Sequence, residues 1–487
     1  MDVTRPLRIA NCSGFYGDRL SAAREMVDGG PIDVLTGDWL AELTMLLLAR
    51  QRRRTPEVGY ARTFVAQMTD VLADCVERGI RVVSNAGGQN PAGCARAIAE
   101  FCEGAGIDAT VAWVHGDDLV DRWGAITSRH APINADTGED LGDLGAEVAT
   151  ANAYLGGWGV AEALAAGADV VVTGRIADAA LVVGPAAWHF GWSRTDWDQL
   201  AGAVVAGHVI ECGTQCTGGN YAFFEEVPGL EHPGFPIAEV HHDGTSVITK
   251  HPGTGGLVSV GTVTAQLLYE VAGPHYPTPD VVARLDTVQL TADGPDRVRI
   301  SGVRGLPAPD RVKVAVNVEW GWRNAMTFVL TGLDLDAKAS LVERTLWGAL
   351  EGGRDGLAFA HTDLLRLDHP DPTTNTDAVA LLRVTVADPD RARVGRVFSD
   401  TVMGMLLASY PGMFTTTPPT DATPVGVYWP VLLPWSEVSC EVVVGLGADA
   451  ATIDVASPAV TAPLPPDPPT TTPPAPARDW ADRKSVV

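Results

Sequence analysis

Four acidic or amide side chains and one arginine stand where a short apolar run gives way to a loop of small residues. They are Asp38 in Thr36-Gly37-Asp38, Asn85 in Ser84-Asn85-Ala86-Gly87-Gly88, Arg175 and Asp178 in Thr173-Gly174-Arg175-Ile176-Ala177-Asp178, and Glu211 in Glu211-Cys212-Gly213-Thr214-Gln215. Asp38, Asp178 and Glu211 are candidate proton carriers. Arg175 and Asn85 are candidate donors to a carbonyl oxygen, and removing a proton beside a carbonyl needs both kinds of group. An arginine in an apolar stretch is costly unless it meets a carboxylate or an anionic ligand. Asp178, three residues on, offers a purely structural pair as the competing reading.

Around these five lie glycine-rich turns that bring backbone N–H groups close to a ligand. Ser13, Gly14, Gly17 and Asp18 form the first; Gly87 and Gly88 form the second, just before Asn90 and Pro91, which cap and open a helix. Asn152, Gly156 and Gly157 belong to a third, Gln215 and Asn220 to a fourth, and His251 and Gly255 to a fifth; His115 closes another apolar run. All are candidate substrate contacts, weighed against ordinary turns and structural histidines. Cys12 reads first as a buried strand-end thiol and only second as a nucleophile. Cys212 and Cys216 lack a second thiol pair, so no metal is expected, and the acid/base chemistry above calls for no cofactor. No P-loop, dinucleotide fingerprint, G-x-S-x-G or H-E-x-x-H pattern occurs.

The elements that must position these loops alternate in type. Apolar runs at Leu7–Asn11, 32–36, 80–85, 109–115 and 169–173 read as strands, with 204–211 added as a further strand. Segments 21–28, 63–78, 91–105 and 157–166 read as helices between them. Such alternation predicts an α/β fold: a Rossmann-like, mainly parallel sheet in the N-terminal half, with ligands at the carboxyl ends of its strands. From residue 276 the pattern changes to hairpins and helices without alternation, starting with a turn at Asp293-Gly294-Pro295, and predicts a C-terminal α+β domain. The expected boundaries are 1–275, 276–456 and a Pro-rich tail over 457–487, where nine prolines fall between Pro458 and Pro476.

The 487 residues carry 60 acidic against 35 basic side chains, a formal charge of −25, which repels phosphodiester and anionic lipid and argues against nucleic acid or membrane partners. Seven cysteines without paired spacing, no secretory leader and no apolar run of spanning length predict a cytoplasmic chain. A homo-oligomer is expected, with the Trp-rich segment 188–197 as interface.

At the same loops the sequence resembles the acyclic terpene utilisation protein A family. The resemblance rests on SNAGGQNP (84–91), YLGGWGVAEALAAGADVVVTGRIADAAL (154–181), HVIECGTQCTGGN (208–220), KHPGTGGLVSVGTVTAQLLYE (250–270), YPTPDVV (276–282) and SYPGMF (409–414), and covers residues 7–435. It implies a place in bacterial carboxylic-acid or terpenoid and branched-chain catabolism, or in secondary metabolism. Many members carry a further C-terminal ferredoxin-like domain, which the resemblance implies is here missing or supplied by a separate small ferredoxin-fold subunit. The combined expectation is a lyase or hydratase acting on a small-molecule substrate, an acyl-CoA-like thioester. The alternative is a non-catalytic metabolite-binding or scaffold subunit.

Overall fold

The structure is a computed structural model that describes residues 4–447 and 450–466. About 32% of the chain is helix and 28% strand, a mixed α/β composition. It opens with β1 (Leu7–Asn11), α1 (Ala22–Asp28), β2 (Val34–Gly37), α2 (Glu42–Arg54) and α3 (Arg62–Arg78). Next come β3 (Arg81–Ser84), α4 (Pro91–Ala105), β4 (Val111–His115), α5 (Trp123–Thr127), β5 (Glu147–Ala153), α6 (Trp158–Ala165) and β6 (Val170–Thr173). After α7 (Ala180–Phe190) and α8 (Trp197–Glu211) follow β7 (Pro236–Val240), β8 (Ser246–Lys250), α9 (Val260–Leu267), β9 (His275–Pro277), β10 (Val282–Arg284), β11 (Gln289–Ala292) and β12 (Arg297–Ser301).

The largest sheet runs β11-β12-β8-β7-β1-β2-β3-β6-β4 and ends with strands Glu441–Val444 and Ala451–Asp454. Its middle is parallel: β1 with β2, β2 with β3, and β6 with both β3 and β4. The flanks, β7 beside β1 and Glu441–Val444 beside β4, are antiparallel. Val34, Val83, Val170, Val171 and Val172 are fully buried, and helices such as α3 and α4 bury Phe64, Met68, Cys94 and Ile98 in the same core. Burial on both faces is why these strands read as continuous apolar runs rather than alternating ones.

Three expectations differ from the structure. Residues 204–211 are the end of α8, a helix buried all round from Leu200 to Glu211, and a wholly buried helix shows the same unbroken apolar run as a buried strand. The hairpin after residue 276 belongs to the large sheet, because β12 pairs with β8. The chain divides into one unit of residues 1–137, 150–316 and 430–487 and another of 138–149 and 317–429, so the change of pattern at 276 falls inside the first. Of the Pro-rich segment 457–487, residues 467–487 lie outside the described residues. Within it, Thr461–Ala462 forms a short strand parallel to Ala308–Pro309.

The second unit pairs residues 322–331 antiparallel with Val379–Asp388, which also pairs with Phe359–Arg366. Helices Leu335–Ala349 and Arg396–Gly404 bury Leu346 and Phe398 against Phe328 and Val384 of that sheet.

One close approach is testable. On α8, a Cβ at Gly202 would lie 2.0 Å from the carbonyl oxygen of Gly244, in the β7–β8 turn. Helix propensity favours alanine by about 1 kcal/mol. The clash is with backbone and outweighs it, so Gly202→Ala is expected to cost about 2 kcal/mol net. An unchanged urea midpoint would show that the turn yields freely.

Candidate functional site

Because β1, β2, β3, β6 and β4 are parallel, Ser13, Asp38, Asn85, Arg175 and Asp117 all follow carboxyl ends of strands, on one edge of the sheet. A cavity of about 820 Å³ opens there, within the range that takes a small organic ligand. Gly14, Asp18, Asp38, Arg175, Asp178, Glu211 and Gln215, all singled out from sequence, line it together.

Arg175 is its fixed cation, with a side chain only 2% exposed. Nη1 donates to Asp178 Oδ1 at 2.5 Å and Nη2 to the Tyr154 hydroxyl at 2.8 Å, while the guanidinium stacks 4.2 Å from the Tyr154 ring. The Tyr154 hydroxyl in turn donates to Glu42 Oε1 at 2.6 Å. Burial opposes the charge on Arg175, but Asp178, Tyr154, Asp38 and Glu42 around it hold the guanidinium firmly protonated. Its Nε is buried without a hydrogen-bond partner among the described residues.

Asp38 follows β2. Its Oδ1 accepts from Asn85 Nδ2 at 2.5 Å and from the Leu40 amide at 2.9 Å, and Asn85 Oδ1 accepts from the Trp39 amide at 2.8 Å. Asn85 thus orients Asp38 rather than lining the cavity itself. Burial and the neighbouring Asp178 push the Asp38 carboxyl well above its ordinary value, against Arg175 and Asn85.

Glu211 is the last residue of α8, and its Oε1 lies 3.2 Å from Nδ1 of the buried His208 one turn earlier. Burial raises its carboxyl to about 7, with Asp178 and Glu270 adding to the rise and His208 opposing it. Oε2 is buried and has no partner among the described residues. A site with two carboxyls raised by burial and a buried, permanently charged guanidinium can exchange protons with a ligand and stabilise negative charge on it.

The remaining candidates lie elsewhere or are used internally. The Gly14 amide is already bound by Asp18 Oδ2 at 2.9 Å, and the Gly157 amide by both oxygens of Asp280 at 3.0 and 2.9 Å. Gly14 is forced by packing, since a Cβ there would lie 2.4 Å from the Cys212 backbone, and Gly156 is closed off by Asp280 in the same way. Ser13 donates to the Phe15 carbonyl, and a Cβ at Gly17 would meet the Phe15 ring. Gly87 and Gly88 pack against Thr173, Pro91 and Leu48, behind the capped start of α4. Asn152 links Asp117 to Gln89, each at 2.8–2.9 Å. His115 lies 3.7 Å from Glu441, His251 meets the Met26 carbonyl at 2.9 Å, and Gly255 packs on the Gly229 carbonyl. Asn220 is absent from the lining. Cys12 is buried and its thiol is pushed far up by that burial; Cys212 lines the cavity with its thiol raised by burial and by Glu211. Among the described residues no group of three or more His, Cys, Asp or Glu is placed to hold a metal ion.

Sequence reasoning missed Glu42, Tyr154, Tyr276 and Lys313 on the cavity wall, and His208 behind it. His208 and Glu211 share a helix face only once 204–211 is read as helical.

Fold and site define an α/β protein whose parallel-rich sheet carries, at its carboxyl edge, a cavity lined by several carboxyls and the buried Arg175. The chain belongs to the acyclic terpene utilisation family: the family model described as acyclic terpene utilisation family protein AtuA matches residues 7–444. No curated protein and no solved structure matches it. Among the described residues no helix is long and apolar enough to cross a membrane.

Proposed function

We propose that the chain is an enzyme of carboxylic-acid or branched-chain terpenoid catabolism that moves protons beside the carbonyl of an acyl-type substrate, as a lyase or hydratase. The observation that carries the reading is one cavity lined together by Arg175, Asp38 and Glu211. One carboxyl takes the proton from the carbon next to the carbonyl, and the other delivers a proton to the departing hydroxyl. Arg175, with Tyr154 behind it, offsets the charge that develops on the carbonyl oxygen. Burial favours the protonated form of each carboxyl, and at Glu211 it raises the carboxyl to about 7, which suits a group that takes and returns a proton near neutrality.

The glycine turns hold no phosphate in this reading, since Asp18 and Asp280 fill the two N–H sites. In a CoA thioester the phosphates therefore stay at the mouth while the acyl end enters. The chain works in the cytoplasm and assembles with copies of itself or with a small ferredoxin-fold subunit.

The test is exchange of α-protons in D₂O, followed by proton NMR on branched acyl thioesters and the corresponding free acids. Glu211→Gln and Asp38→Asn are each expected to slow exchange at least about 100-fold with the fold retained. Asp178→Asn, which removes the charge set against Arg175, should also lose turnover. Parent-like exchange in all three variants would move the chemistry away from this cavity.

A further inference from the structure

Part of the cavity wall is apolar and is assembled from three separate stretches of chain. Pro309 and Val312 come from the segment leading to Lys313, Leu432 from a later strand, and Pro463 and Leu464 from the residues after Thr461–Ala462. These stretches are tied to one another. Thr461–Ala462 runs parallel to Ala308–Pro309, the Asp310 amide donates to the Ala462 carbonyl at 3.2 Å, and Arg311 donates to the Leu432 carbonyl at 3.4 Å. Leu432 and Leu464 remain 42% and 44% exposed although they line a concave site. Two aliphatic side chains left uncovered inside a cavity of this size suit a small hydrocarbon-bearing ligand, not a macromolecule. The family match ends at residue 444, so Pro463 and Leu464 lie beyond it.

We propose that Pro463 and Leu464 complete this apolar wall and set how long a hydrocarbon chain the cavity accepts. The ligand is a medium-length aliphatic carboxyl derivative whose chain lies along Val312, Leu432 and Leu464. Its polar end is directed toward Arg175, and only that placement rests on the proton-transfer reading above. Residues 461–464 thereby act as a specificity segment held by backbone pairing, with the side chain at 464 as its measuring point.

The experiment is calorimetric binding of straight-chain carboxylates from butanoate to dodecanoate to the full chain. Affinity is expected to rise about fourfold per methylene until the wall is covered. Leu464→Ala should lower decanoate affinity about tenfold and leave butanoate unchanged, and Leu464→Trp should shift the best chain to a shorter one. Both substitutions are at an exposed position, so parent-like melting is expected and is checked alongside. Equal chain-length dependence in parent and variants, or no gain with chain length in the parent, overturns the proposal. A length ladder that responds to Leu464 without any α-proton exchange would leave the wall standing and remove only the proton-transfer reading.

Discussion

Replacing Arg175 with alanine is expected to cost the fold about 3–5 kcal/mol at pH 8 and clearly less at pH 5. The guanidinium is almost wholly enclosed and is the one counter-charge reaching Asp178 and Tyr154 by hydrogen bonds, with Asp38 and Glu42 in its field. Without it, Asp178 and Asp38 lose their buried counter-charge, while Glu42 keeps the Lys313 ammonium at 3.8 Å. The Asp38 carboxyl, already raised by burial, would rise further, and Glu42 would lose the main influence that lowers it. A group whose folded value is raised is favoured in the fold while protonated. The variant should therefore be most stable below the ordinary carboxylate range and weaken as pH climbs from that range through the raised values of the folded state. Urea midpoints at intervals from pH 5 to 8 would show this. An equal loss at both ends of that range would mean that Arg175 serves the fold as packing rather than as charge.

Asp117→Asn is expected to act in the opposite direction and make the protein more stable at pH 8. Asp117 follows β4 with 2% of its surface exposed, and its Oδ2 accepts from the Arg175 amide at 2.8 Å and from Asn152 Nδ2 at 2.9 Å. Burial pushes its carboxyl up to about 7, against those two hydrogen bonds. In the unfolded chain it ionises near the ordinary value of about 4. The native state thus holds a proton that the unfolded state releases. The stability this gives is complete below about pH 4 and is lost as pH rises toward 7, a swing of up to about 4 kcal/mol. Asparagine keeps an oxygen for both donors and cannot ionise. The gain should be about 2–4 kcal/mol at pH 8 and close to zero at pH 4. A parent and variant with parallel pH profiles would show that the two hydrogen bonds keep the carboxylate ionised throughout.

The five parallel strands were legible because each is a short apolar run ending in a polar loop, and α4 because Asn90-Pro91 opens it and Gly106 closes it in the left-handed region. What periodicity could not do was separate a buried helix from a buried strand at 204–211, or find α2, whose Leu43 and Leu47 stay exposed beside a run of arginines. The β7–β8 hairpin carried a usable mark in Asp243-Gly244. At the site, Asp38, Arg175 and Asp178 could be picked out because polar groups in loops after strands must be satisfied or functional, and Glu211 was picked out on the same ground although it ends a helix. Their partners could not, since Glu42, Tyr154 and His208 meet them only through folding. The glycines misled for a physical reason: a turn that can bind an anion can equally bind the protein's own aspartate, as Gly14 does with Asp18 and Gly157 with Asp280.

The lining of the cavity runs from Gly14 to Leu464, nearly the full length of the described chain. A ribosome adds about 5–20 residues each second, and N-terminal portions of a protein fold while the rest is still being made. The strands that carry Asp38 and Arg175 leave the ribosome well before residues 461–464 exist. At that rate the roughly 290 residues from Arg175 to Leu464 take on the order of 14–58 s to add. The residues proposed to gauge the ligand's hydrocarbon are thus joined to the chain long after those proposed to handle its carbonyl.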